Sequence, residues 1–110
     1  MQANEPVLMA DAVESWVQEL DEQHATQALL AFGLWSPRDG AAPTDSLDAA
    51  YQLAERTLSL GRQAISFRAE GSAIVCSFVY AERLVTASAQ PYGLALTRAV
   101  LRAAYEARLI

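Results

Sequence analysis

Ile65-Ser66-Phe67-Arg68-Ala69-Glu70-Gly71-Ser72-Ala73-Ile74-Val75-Cys76-Ser77-Phe78-Val79-Tyr80 is the stretch that decides the fold. Ile65 and Phe67 alternate with Ser66 and Arg68, the period-two pattern of a half-buried strand, predicted over about Gln63–Ala69. Glu70-Gly71-Ser72 supplies the turn. Ala73–Tyr80 is β-branched and aromatic on both faces, which places it in the centre of a small sheet. Ala81-Glu82 is a second short turn, and Arg83–Ala89 a third strand. The sum is a three-stranded antiparallel meander.

Downstream, Pro91 suits the first turn of a helix. Over 91–108, Leu94, Thr97, Leu101 and Tyr105 fall on one stripe, with Arg98, Arg102 and Glu106 beside it. Upstream, Thr44, Asp45 or Ser46 caps a helix that buries Leu47, Ala50, Tyr51, Ala54 and Leu58 and ends at Gly61. Residues 36–46, with two Pro and a Gly, form the one long loop. Further back, Met9, Val13, Trp16, Val17 and Leu20 recur at helical spacing over about 9–22, and Ala25, Ala28, Leu29 and Phe32 over about 25–33, closed by Gly33. The two stripes point in different directions, so a break is expected near Glu22–His24. Asp21 and Glu22 then stand at a helix C-terminus, against its dipole. The expected architecture is α+β, in the order α-α-α-β-β-β-α, sandwich-like. It is one domain, with an acidic helical extension at 1–24 and a core at 25–110.

Bulk properties narrow the function. The chain has 110 residues, 53% apolar and 19% charged, the balance of a globular domain. One Cys permits no internal disulfide. No run approaches the roughly 20 apolar residues of a membrane helix. Met1-Gln2-Ala3-Asn4-Glu5-Pro6 lacks a basic leader, so a cytoplasmic location is expected. Net charge is −5 with no Lys; residues 1–55 hold ten acids and one Arg, while residues 56–110 hold three acids and seven Arg. Overall acidity argues against direct nucleic-acid binding.

Pro43-Thr44-Asp45-Ser46-Leu47-Asp48-Ala49-Ala50-Tyr51 at a helix start, a hairpin and third strand, and Pro91-Tyr92-Gly93-Leu94-Ala95-Leu96-Thr97-Arg98-Ala99-Val100-Leu101-Arg102-Ala103-Ala104 at the end form a pattern. It resembles the phage ABA sandwich domain, a family of small phage and prophage proteins. Ala28–Pro37 resembles the short helix and Trp-containing loop before that family's core, so the likeness spans about 28–104. The resemblance implies an α/β sandwich encoded by a phage or prophage, and no catalytic residues. The acidic helix at 9–22 lies outside the pattern, and the turn at Ala81-Glu82 is shorter than is usual there.

No residue set carries a reaction. His24 has no second His or Cys at ligand spacing, so no metal is expected. Cys76, amid apolar strand residues, reads as a small buried hydrophobe with a raised pKa. No nucleophile elbow and no Gly-rich phosphate loop is present. Arg62, Arg68, Arg83, Arg98 and Arg102 are expected to pair with the acids of 11–22, with a basic patch as the alternative. Trp16 and Trp35 are expected in the core, with an exposed interface role as the alternative.

The expected function is therefore binding without catalysis or cofactor: a phage accessory protein that docks on a host protein or complex, such as an inhibitor of an antiphage defence assembly. An acidic face fits a basic nucleic-acid groove on such a partner. The candidate contact residues are Asp11, Glu14, Glu19, Asp21 and Glu22, with Arg38, Asp39 and Asp45 from the loop. The alternative is a homo-oligomeric phage structural or assembly protein, with a second copy of the chain as partner.

Overall fold

The computed structural model describes residues 12, 13 and 15–110. The chain is α+β, four helices and a three-stranded antiparallel sheet in the expected order. α1 is helical at 12–13 and 15–19. α2 is Glu22–Ala31, α3 Leu47–Leu58, β1 Ser66–Glu70, β2 Ala73–Tyr80, β3 Arg83–Ala89 and α4 Tyr92–Glu106. The strands lie in the order β1-β2-β3, with the apolar β2 in the centre as its composition requires.

Two-residue turns set the register. Glu70 pairs with Ala73 and Tyr80 with Arg83, so Gly71-Ser72 and Ala81-Glu82 are the loops. In the first, Gly71 alone takes a positive φ, the pattern of a type II′ turn. In the second, Ala81 (φ 53°) and Glu82 (φ 65°) both do, the pattern of a type I′ turn, normally filled by Asn-Gly. Both carry a Cβ into the left-handed region, which costs each about 1 kcal/mol. Replacing Ala81-Glu82 by Asn-Gly is therefore expected to raise stability by about 1–2 kcal/mol, read as a higher urea midpoint at unchanged slope.

Cys76, Phe78, Val85, Ala87 and Ala89 share the face that α4 covers. The opposite face is open among the described residues: Val79, 60% exposed, sits directly across from Leu84, 71% exposed. α4 is the hub. It packs on β2, β3, α3 and α2, and Gly93–Thr97, Ala99–Leu101, Ala103 and Ala104 are all buried. A helix touched on so many sides needs apolar residues all round rather than one stripe. Tyr105, expected on its buried stripe, is instead 43% exposed.

Several boundaries differ from expectation. β1 begins at Ser66, because residues 62–64 form a short 3-10 turn. α3 stops at Leu58, with Ser59 in the left-handed conformation rather than Gly61 as terminator. Pro91 is the N-cap residue of α4 and precedes its first turn. The 36–46 loop is pinned rather than loose: Pro43 and Thr44 are fully buried, and Thr44 Oγ1 lies 3.1 Å from Thr26 Oγ1 of α2. Gly93 makes this possible, since a Cβ there would stand 2.5 Å from the Pro43 carbonyl oxygen.

Candidate functional site

The α1–α2 junction falls at Leu20-Asp21, earlier than Glu22–His24. Val17 and Leu20 are buried in the core, which fixes where α1 must turn. Asp21 becomes the N-cap of α2: its carboxylate accepts from the His24 backbone N–H at 2.8 Å and lies 2.8 Å from His24 Nδ1. Those contacts, the backbone hydrogen bond first, hold its pKa below the ordinary carboxylate value. Glu22 lies in the first turn of α2. Both acids therefore stand at a helix N-terminus and favour its dipole, correcting the expectation that they oppose it. Only Glu19 remains in the last turn of α1.

Arg98 locks this junction to the sheet. Its Nε donates to the Leu20 carbonyl at 2.8 Å and its Nη1 to the Ser88 carbonyl at 2.6 Å, with Gln18 Oε1 at 3.5 Å. Arg102 Nη1 donates to the Thr86 carbonyl at 3.1 Å, and its Nε pairs with Glu106 at 3.3 Å. The brace between the C-terminal half and the acidic segment thus runs through backbone carbonyls rather than through the acids of 11–22. Burial pulls the Arg98 pKa down, and the nearby Asp21 charge partly opposes this. Elsewhere Arg56 pairs with Asp39 (3.4 Å), Arg62 with Asp48 (2.9 Å) and Arg68 with Glu70 (2.9 Å). Among the described residues, Arg56, Arg62, Arg68 and Arg102 are spent on local acids and Arg98 on carbonyls, so none of them forms an ion pair with the acids of the N-terminal helix.

The candidate contact residues separate into groups. Glu22 and Asp45 come together: with Gln23, Thr26, Gln27, Ala42 and Thr44 they line an open groove of ≈ 400 Å³. Glu19 and Asp21 are exposed on the adjoining junction. Asp39 lines a different groove with Gly33, Leu34, Arg56, Thr57 and Leu109; it also accepts from the Ser36 N–H at 2.9 Å, and Arg38 is exposed beside it. Asp11 and Glu14 lie outside the described residues.

An aromatic cluster escaped the sequence reading. Trp16 meets Phe32 edge-on at 6.3 Å between ring centroids and Tyr105 at 5.7 Å, and with Ala12 and Val13 they line an apolar groove of ≈ 360 Å³. Phe32 and Tyr105, expected on buried stripes, are about two-fifths exposed, while Trp16, expected in the core with an interface role as the alternative, is half-buried against it. They come from three helices, so no local periodicity brings them together. Trp35, by contrast, is buried as expected.

Cys76 is fully buried, and burial pushes its thiol from the ordinary 9.0 up to about 12. Thiol labelling at pH 8 is therefore expected to proceed only through unfolding and to accelerate in urea with the loss of structure; fast labelling of the native chain would contradict this placement. A raised folded pKa contributes stability that is complete below the unfolded-state value. Stability should accordingly fall as pH rises from about 9 toward 12. Among the described residues, no three His, Cys, Asp or Glu side chains converge as a metal site requires. No protein-family model matches the chain, and neither do curated proteins or solved structures.

Proposed function

We propose that this chain works by binding a basic surface of another protein, through the carboxylates of Glu19, Asp21, Glu22 and Asp45. One observation carries the reading. Among the described residues, Glu19, Glu22 and Asp45 have no ion-pair partner, and Asp21 contacts only His24. Asp39, Asp48, Glu70 and Glu106 each face an Arg. Glu55 and Glu82 also lack a partner, but they stand apart, on α3 and in the β2–β3 turn. Carboxylates gathered at one junction without an Arg ion pair, the nearby Arg98 being bonded to carbonyls, attract a cationic partner and speed its encounter. A nucleic-acid-binding protein of a phage-infected host presents such a surface. The phage setting, and inhibition of an antiphage defence complex as its outcome, rest on the resemblance of residues 28–104.

The test compares the wild type with Glu19→Gln, Asp21→Asn, Glu22→Gln and Asp45→Asn combined. Asn at 21 keeps the N-cap acceptor, so folding is preserved while charge is removed. Immobilised wild type should capture a host protein in a salt-sensitive way, and the neutral variant should lose at least about tenfold of that capture. Equal capture by both at matched salt rules out the acidic junction as the binding face.

A further inference from the structure

We propose that the free edge of β1 pairs antiparallel with β1 of a second copy of this chain, about a two-fold axis at Ala69, making one continuous six-stranded sheet.

The two edges of the sheet are treated differently. At the β3 edge, the outward carbonyls of Thr86 and Ser88 are occupied by Arg102 and Arg98. The β1 edge has no such cover. Because the two-residue turn closes at Glu70–Ala73, the hydrogen-bonded pairs with β2 are those of Glu70, Arg68 and Ser66. The N–H and C=O groups of Phe67 and Ala69 therefore point away from β2. Among the described residues, no loop or side-chain group bonds to them. β1 carries no Pro or bulge, and its two charged side chains, Arg68 and Glu70, are of opposite sign, so they need not repel a second copy.

The charge order of β1 says what fits there. Two-fold pairing keeps side chains of one face together, so three registers are available. Centring on Arg68 sets Arg68 against Arg68 of the second copy, a repulsive pair. Centring on Phe67 sets Arg68 opposite Ser66 and runs Ala69 into Ile65, which is buried. Centring on Ala69 sets Arg68 opposite Glu70 of the second copy, and Glu70 opposite Arg68, two cross-strand ion pairs from one symmetry operation. The same register places Phe67 opposite Gly71, where an aromatic ring covers a residue without a side chain. Tyr92, 46% exposed with its ring 5.1 Å from that of Phe67, flanks the seam on the helix side. In the single chain Arg68 pairs with Glu70 of its own strand at 2.9 Å, both exposed; a second β1 exchanges that pair for two cross-strand ones, which a neutral foreign strand cannot offer.

The assembly also bears on the acidic junction. Arg98 ties Leu20 to β3, so the junction lies at the sheet edge remote from β1. Two copies joined at β1 hold their acidic faces at opposite ends of the sheet, roughly 25 Å apart by the spacing of adjacent strands.

The experiment is sedimentation and light scattering of the full chain over a roughly 100-fold concentration series. Wild type should shift from monomer to dimer. Arg68→Glu and Glu70→Arg, each at an exposed side chain, should weaken the dimer by at least about tenfold, and the double reversal should restore it. Ala69→Pro removes an outward N–H without touching the β1–β2 ladder and should abolish the dimer while circular dichroism stays native. A monomer throughout the series overturns the proposal. So does a dimer indifferent to all three substitutions, or single reversals that the double fails to rescue.

Discussion

Gly93→Ala lowers the unfolding free energy by about 2–3 kcal/mol and the melting temperature by about 10 °C or more. Helix propensity alone gives the opposite sign, because Ala at an ordinary helix position is favoured over Gly by about 1 kcal/mol. The contact geometry decides between them. A Cβ at 93 stands 2.5 Å from the Pro43 carbonyl oxygen and 3.2 Å from that of Thr44. Both obstacles are backbone, in a segment whose side chains are buried, so no rotamer change relieves the clash. Either α4 withdraws from the core or the 43–44 segment lifts off α4. The second outcome also strains the Thr26–Thr44 contact and carries Asp45 away from Glu22. Urea unfolding measures the loss, and faster proteolysis within 36–46 identifies the segment that moves. A variant more stable than the wild type would show that α4 does not approach the loop this closely.

Arg98→Ala costs about 2–3 kcal/mol. The substitution deletes charge-assisted bonds to the Leu20 and Ser88 carbonyls, which join the α1–α2 junction to the free edge of β3. Amide exchange should accelerate at residues 17–20 and in β3, while α3 keeps its protection relative to global stability. Arg98→Lys should restore little, since one ammonium cannot reproduce a planar fork aimed at two carbonyls. Arg102→Ala serves as the comparison. It loses one carbonyl bond and a partly exposed ion pair, and should cost about 1 kcal/mol. If Arg98→Ala matches the wild type in stability, or Lys rescues it fully, the lock is not what holds α1 in place.

The local signals were reliable where a residue acts on its immediate neighbours. β2 and β3 begin and end where alternation and turn spacing put them. Ser46 caps α3, its hydroxyl accepting from the Ala49 N–H at 3.2 Å. The mismatch of two stripes demands a break between α1 and α2, but its position is set by Leu20 entering the core. Moving it to Leu20-Asp21 reversed the electrostatic meaning of Asp21 and Glu22. The candidate site was legible only as a list of acids. That Glu22 and Asp45 share a groove depends on Pro43 and Thr44 being buried beneath Gly93, a contact across 50 residues of chain.

By itself, then, the sequence determined the secondary elements, their order, the two hairpin turns and the central place of β2, because dihedral preference and hydrophobic period act over a few residues. Tertiary structure alone decided that α4 is buried on nearly all sides, since an all-round apolar helix has no stripe to orient it. It also sent Arg98 to a carbonyl 78 positions away rather than to an acid. That choice left the junction carboxylates without an Arg ion pair among the described residues, because the Arg98 fork is aimed at two backbone carbonyls and reaches Asp21 only as a nearby charge.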